Sequence, residues 1–187
     1  NVAIDGPSLS IRKFPEKKIG MEELIELGTL SRKAAIDLEV WVRSGYNIFV
    51  SGGTSSGKTT FLNVLSNFIP KSERIILVED AAELQVDNVP NLVRLETRQP
   101  NAQGKGEVTM RQLIRASLRM RPDRIIVGEV RGEEILDMVQ AMNTGHDGSM
   151  TTGHGNSPEG MLSRMEAMYL TAVQYPIESV RTQIAEA

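Results

Sequence analysis

The sequence contains no cysteine, which removes disulfides, zinc–thiolate centres and thiol nucleophiles from consideration. Aromatic residues make up only 4% of it and leave few platforms on which single-stranded bases could stack. No apolar run approaches the roughly 18 residues that a membrane-spanning helix needs, and no signal peptide is visible. An excess of positive charge is missing as well. The 21 Lys and Arg are outnumbered by 24 Asp and Glu, and the formal net charge of −3 argues against a domain-wide nucleic-acid footprint. What is present is an ordinary globular composition, 40% hydrophobic and 24% charged. At 187 residues it can bury one core, and it fits a cytoplasmic location.

Short apolar runs alternate with amphipathic helical patterns from residue 21 onward. Helices are expected near 21–28 and 31–44, the second closed by Gly45. Strand Asn47–Ser51 enters a Gly-rich loop and a helix from Lys58 to about Phe68. Strands follow at Arg74–Glu79 and Leu92–Glu96, then a helix from about Met110 to Met120 that Pro122 ends. Strand Arg124–Val127, a helix near 132–143, strand Ser149–Thr152 and a helix near 158–169 complete the order. Buried runs alternating with helices predict an α/β fold, a mainly parallel twisted sheet covered by helices on both faces. Pro100 to Gly106, with two glycines and mixed charge, reads as a mobile loop. Ser8–Lys13 reads as one strand without a partner, and Ile184–Ala187 as a helical pattern without a cap, so the sequence reads as a fragment.

Gly52-Gly53-Thr54-Ser55-Ser56-Gly57-Lys58-Thr59 matches G-x-x-x-x-G-K-[ST], with a strand before it and a helix after it. Glycines let backbone N–H groups turn inward around a β-phosphate, and the helix N-terminus adds positive potential. Lys58 would supply a point charge to the β- and γ-phosphates, and the Thr59 hydroxyl would ligate Mg²⁺. Thr60, next on the helix, completes the nucleotide-binding set. Such a site also needs acids near the metal and the attacking water. Two strands end in carboxylates, Ile75-Ile76-Leu77-Val78-Glu79-Asp80 and Ile125-Ile126-Val127-Gly128-Glu129, and either could be the Walker B strand.

These residues resemble the type II/type IV secretion ATPases, which drive pilus assembly, retraction and protein export. Four pieces match in order: the Walker A loop, the acidic box Val78-Glu79-Asp80-Ala81-Ala82-Glu83, the Gly128-Glu129-Val130-Arg131 form of Walker B, and a histidine box from Asn143 to Ser157. The likeness is nearest to the tight-adherence (Flp-type) pilus branch, on Leu95-Glu96-Thr97-Arg98 and Gly104-Lys105-Gly106-Glu107-Val108-Thr109. Gly153 departs from the pattern, since many members carry Leu there.

The resemblance implies a RecA-like P-loop NTPase over residues 15–187, truncated at its C-terminus, with residues 1–14 as the last strand and linker of a missing N-terminal domain. It implies Glu79 as general base, Glu129 as the acid holding Mg²⁺ through water, His154 as γ-phosphate sensor, and His146, Asp80 and Glu83 in support. Arg12 would reach phosphate from the preceding strand. It also implies a homo-oligomeric ring, a hexamer in the full-length protein, whose arginines complete a neighbour's site. Arg94 and Arg98 are candidates for that role, as are Arg111, Arg115 and Arg119, spaced four apart on one helix face. A solvated charged face is the plain alternative for that stripe. Leu113, Ala116 and Met120 are expected to pack inward. The implied partners are ATP and membrane platform proteins, which would hold the chain peripherally at the inner membrane. A RecA-like hexameric DNA motor shares the loop and both acids, but the acidic charge, scarce aromatics and histidine box count against it. A non-enzymatic nucleotide-binding scaffold is a further alternative, disfavoured by the intact Glu79 and Glu129.

Overall fold

The structure is a computed structural model that describes residues 6–9, 11, 19–87 and 89–187. Five strands, β1 (Ile48–Gly52), β2 (Arg74–Glu79), β3 (Asn91–Glu96), β4 (Arg124–Val130) and β5 (Met150–His154), form one sheet in the order β1-β5-β4-β2-β3. Every pairing is parallel. Parallel neighbours cannot be joined by tight hairpins, so the chain must cross back over the sheet between strands. Seven helices occupy the described chain: α1 (Met21–Glu26), α2 (Arg32–Arg43), α3 (Lys58–Ser66), α4 (Met110–Ser117), α5 (Glu134–Asn143), α6 (Pro158–Ala172) and α7 (Ile177–Glu186). The β2–β3 crossover has no described helix and is sealed instead by buried Leu84, Val86 and Val89.

Side chains alternate across a strand, so an unbroken apolar run must feed two cores. In β2, Ile75 and Leu77 join Val42 of α2 and Leu62 and Leu65 of α3. Ile76 and Val78 join α4 through Ile114, α5 through Met138 and Val139, α6 through Met165, and α7 through Val180. Each fully buried aliphatic side chain contributes roughly 1.5–3 kcal/mol. The α/β arrangement expected from the alternating pattern is therefore present, with all five strands parallel.

Three local details follow. On α4 Met110, Ile114 and Ser117 are buried, Leu113 and Met120 pack against the same core as expected, and Ala116 is exposed. The 0, +4, +7 spacing of that trio follows the helix repeat and outweighs the apolar character of Ala116. The loop expected from Pro100 to Gly106 is present and is tied at its base and across its turn by hydrogen bonds. Arg98 and Val108 exchange two backbone bonds of 2.9 Å, and Asn101 Oδ1 accepts from the N–H groups of Gln103 and Lys105 at 3.0 and 2.9 Å. Of the expected strand over 8–13, positions 10, 12 and 13 lie outside the described residues, and 8, 9 and 11 form no regular element.

The amino edge of the sheet is pinned by a buried cation. Arg124, 3% exposed, pairs with Glu73 and donates from Nη1 to the Val42 carbonyl at 2.5 Å. Its guanidinium lies against Gly148, whose φ is +78°. A Cβ there would sit 2.7 Å from Arg124 Cζ. Gly148→Ala should therefore lose roughly 2–4 kcal/mol, the sum of left-handed strain and overpacking. Gly104 shares the backbone region, at φ +71°, but has open space around it. Gly104→Ala should lose only about 1–2 kcal/mol. Urea unfolding midpoints of the two variants check the difference, and equal losses would refute the role given to Arg124.

Candidate functional site

In a parallel sheet all strands end on the same edge, where ligands of open α/β folds sit. Here that edge is an open cleft of about 700 Å³, a size suited to a small-molecule ligand. Thr54 to Thr60, Glu79, Asp80, Ala81, Glu83, Gly128, Glu129, Arg131 and His154 line it. The sequence-predicted loop, both acids and His154 thus converge from the ends of four parts of the chain.

The loop geometry follows from its residue types. Gly52 ends β1, and a Cβ on it would meet Ser56 Oγ at 2.5 Å, so the loop closes tightly over its own stem. Ser55 and Gly57 adopt φ of +58° and +91°, the left-handed conformation that turns successive N–H groups inward. Helices α2, α4 and α6 begin at Ser31, Thr109 and Ser157, whose side chains accept from the first turn. Helix α3 begins at Gly57 with no side-chain cap, leaving its first N–H groups facing the cleft. Lys58 Nζ donates to the Gly53 carbonyl at 2.7 Å, holding its charge across the loop's mouth. Arg12 lies outside the described residues.

Glu79 is 4% exposed at the end of β2. A buried carboxylate must be compensated, and its Oε1 accepts from the backbone N–H groups of Glu83 and Leu84 at 3.0 and 2.7 Å. Arg94, on neighbouring β3, lies 3.5 Å from Oε2 and also donates to the Leu84 carbonyl at 2.7 Å. The acidic box is thus folded around its own glutamate. Gly128 is explained by the same packing, because a Cβ on it would come within 3.3 Å of Glu79 Cγ. A strand carrying Asp at that position would crowd the buried acid.

Glu129 is only partly buried. Arg131 donates to its Oε2 from Nη2 at 2.6 Å and from Nε at 3.0 Å. The Nη1 of Arg131 lies 3.7 Å from Asp80 Oδ2, so one guanidinium spans the ends of β4 and β2. Its own backbone N–H donates to Glu134 Oε1 at 2.6 Å. Hydrogen bonding to Glu129 raises the Arg131 pKa, with further pull from the charges of Glu129, Asp80 and Glu134. In the sequence Arg131 stands in the Gly128–Arg131 motif without a role of its own; the signal for one is the acid at each of two strand ends, Glu129 and Asp80. Among the described residues no group of three or more His, Asp or Glu could hold a metal alone. Thr59 and Glu129 still suit Mg²⁺, which takes one or two protein oxygens and completes its shell with water and nucleotide phosphates. A guanidinium already lodged between Glu129 and Asp80 shows that this spot draws positive charge.

The two histidines separate. Parallel pairing sets Gly52 opposite His154, and Gly155 N–H donates to the Gly52 carbonyl at 3.3 Å, which ties the histidine to the loop's stem. His146 precedes β5, at the opposite edge of the sheet, where its Nδ1 lies 3.3 Å from the Ala141 carbonyl. It is no part of the cleft, and its support is limited to the start of β5, through Ser149, whose hydroxyl donates to the His146 carbonyl at 2.7 Å. Gly153 is accounted for by Phe49, since a Cβ would lie 2.6 Å from that ring.

The five arginine candidates also separate. Arg111 and Arg115 both donate to buried Asp137 of α5, at 2.5 and 2.8 Å, and Arg111 also pairs with Glu133. The hydrogen bond to Asp137 raises the Arg111 pKa, and the charges of Asp137 and Glu133 add to it. They tie α4 to α5 through Asp137, while Arg115, like Arg119, stays on a solvated face. Arg94 is committed to the acidic box. Arg98 donates to the Gly106 carbonyl at 2.6 Å, and Arg119 is exposed.

The family described as type II/IV secretion system protein matches residues 2–185. A Mycobacterium tuberculosis protein named for conjugal transfer is 45% identical over 167 residues, 89% of this chain and 47% of its own length. The type IV secretion system protein PtlH of Bordetella pertussis is 41% identical over 147 residues, 78% of this chain and 42% of its own length. The chain spans about half the length of the curated relatives it matches. Among solved structures, the VirB11 ATPase of the Brucella suis type IV secretion system, in complex with sulphate, superposes with a TM-score of 0.71 at 31% identity, covering 92% of this chain and 56% of that one. The pilus retraction motor PilT with bound ADP gives a TM-score of 0.71 at 26% identity over 93% of this chain and 47% of its own. The sheet, the loop and the matches together place this chain in the type II/IV secretion system protein family, with the RecA-like ATPase fold.

Proposed function

We propose that this chain hydrolyses Mg-ATP in the carboxyl-edge cleft. As a subunit of a homo-oligomeric ring, a hexamer in the full-length protein, it would drive the membrane platform of a pilus-assembly or secretion machine. The observation that carries the reading is the convergence of the P-loop, Glu79, Glu129 and His154 on one cleft. Lys58 and the N–H groups at the start of α3 hold the phosphates, and Lys58 exchanges the Gly53 carbonyl for a phosphate oxygen. Thr59 directly and Glu129 through water would hold Mg²⁺, which would supply positive charge against the negative charge developing on the phosphates. Glu79 Oε1 is occupied by two backbone donors, so Oε2 is the atom that accepts the proton of the attacking water. Water oxygen bonds to the γ-phosphorus as the bridging P–O bond to ADP breaks. His154, fixed to the loop's stem through β5, reports the presence of the γ-phosphate to the rest of the domain.

Of the five arginines considered for a neighbouring site, Arg98 and Arg119 are those with no acid paired to them among the described residues, and they are the proposed pair. Support for the machine assignment comes from relatives named for conjugal transfer and type IV secretion, and from the tight-adherence resemblance. Among the described residues no helix is long and apolar enough to cross a membrane, so attachment at the inner membrane is proposed to run through partners.

Lys58→Ala should lose most nucleotide affinity by calorimetry, at least about tenfold, because a charge-assisted phosphate contact is removed. Unchanged binding would refute the site. Glu79→Gln should bind Mg-ATP near normally yet turn over about 10²–10⁴-fold more slowly in a phosphate-release assay. Glu129→Gln should raise the Mg²⁺ requirement as well as slow turnover. Wild-type turnover in Glu79→Gln, beside a dead Glu129→Gln that binds normally, would reverse the two roles.

A further inference from the structure

Among the described residues, the hydrogen bonds to the Glu129 carboxylate come from the Arg131 guanidinium alone, and both are to Oε2. It reaches Asp80 on the adjacent strand with its remaining edge, yet its side chain is 65% exposed and lines the cleft. It is therefore held by charge and not by packing. Its backbone, in contrast, is fixed by the bond from its N–H to Glu134, so the side chain can swing about a stationary anchor. Thr59, Glu129 and Asp80 all border the same cleft. A dication at Glu129 and a guanidinium bonded to its Oε2 repel each other, whichever carboxylate oxygen the ion or its water shell approaches.

We propose that Arg131 is a positioning residue that acts as the internal counter-ion of Glu129 and Asp80 and exchanges with the divalent cation that arrives with nucleotide. The inference rests on the nucleotide-site reading above. Before binding, Arg131 keeps the two acids, one on β4 and one just past the end of β2, from repelling each other across the cleft. When the metal takes Glu129, the guanidinium is released with its backbone unmoved, and Asp80 remains its partner. Metal loading is thereby linked to the freedom of one arginine at the cleft mouth. The exchange also sets a penalty on metal binding, since the ion must approach Glu129 against the charge of a guanidinium held there by two donors.

The test is the Mg²⁺ dependence of binding of a fluorescent ADP analogue, measured without turnover. In wild-type protein the analogue should bind more tightly as Mg²⁺ rises, with a defined half-point. Arg131→Ala and Arg131→Gln should lower that half-point by roughly three- to fivefold, the size expected of an exposed ion pair. Arg131→Lys, which keeps the charge, should stay nearer wild type. In a Glu129→Gln background, Arg131→Ala should leave the half-point unchanged, because the contact being exchanged is already gone. A half-point that is unchanged or raised in both neutral variants would overturn the exchange while leaving the nucleotide site intact. Absence of any Mg²⁺ effect in wild-type protein, or binding that survives Lys58→Ala, would overturn the site reading and the exchange with it.

Discussion

Parallel pairing of β1 with β5 and of β4 with β2 is the constraint on which everything else depends. Because no strand of the described sheet runs the other way, the ends of β1, β2, β4 and β5 reach one edge, and the loop after β1, Glu79, Glu129 and His154 border one cleft. Register does the rest. Gly52 lies opposite His154, and Val78 opposite Val127, which brings Glu79 beside Gly128. A slip of one residue in either pairing would turn an acid or the histidine to the opposite face. The two cores that hold this register are built from the same apolar runs, so stability and site geometry share their residues.

The second organising feature is that acids are matched one by one with arginines. Glu73 holds Arg124 at the amino edge, Asp137 holds Arg111 and Arg115 between helices, Arg94 approaches Glu79, and Arg131 takes Glu129. A buried acid left alone would be strongly destabilising, and removing one partner of such a pair strands the other. This matching explains why several arginines that suit contact with a neighbouring subunit on spacing alone are committed inside the chain. It also separates two kinds of pair. Arg124 and Asp137 are themselves buried, whereas both sides of the Arg131–Glu129 pair border the open cleft, where Arg131 can change partners.

Much of this was legible in the residues. Apolar runs ending in Gly52, Glu79 and Glu129 mark strands whose ends carry chemistry, and the glycine–lysine–threonine spacing needs no tertiary information. The two cores follow from strand alternation alone. What could not be read were features set by contacts distant in sequence. The order of strands is one. The need for Gly128 is another, since it depends on a side chain 49 residues away, and Gly153 depends on Phe49 in the same manner. Arg111 and Arg115 read as a plain surface stripe because their partner Asp137 lies on another helix, and helix periodicity does not reveal an acid there. The histidines looked alike in one glycine-rich stretch, yet β5 between them carries one to the cleft and the other to the far edge.

The account's central claim is that a nucleoside triphosphate and its metal occupy the edge where these strands end. A crystal structure of the chain grown with Mg²⁺ and a non-hydrolysable ATP analogue tests that claim most directly. The account predicts β- and γ-phosphates wrapped by residues 52–59, the metal beside Thr59 and Glu129, and the γ-phosphate between Lys58 and the Glu79–His154 side of the cleft. Phosphates seated away from that loop, or a γ-phosphate with neither Glu79 nor His154 near it, would contradict it.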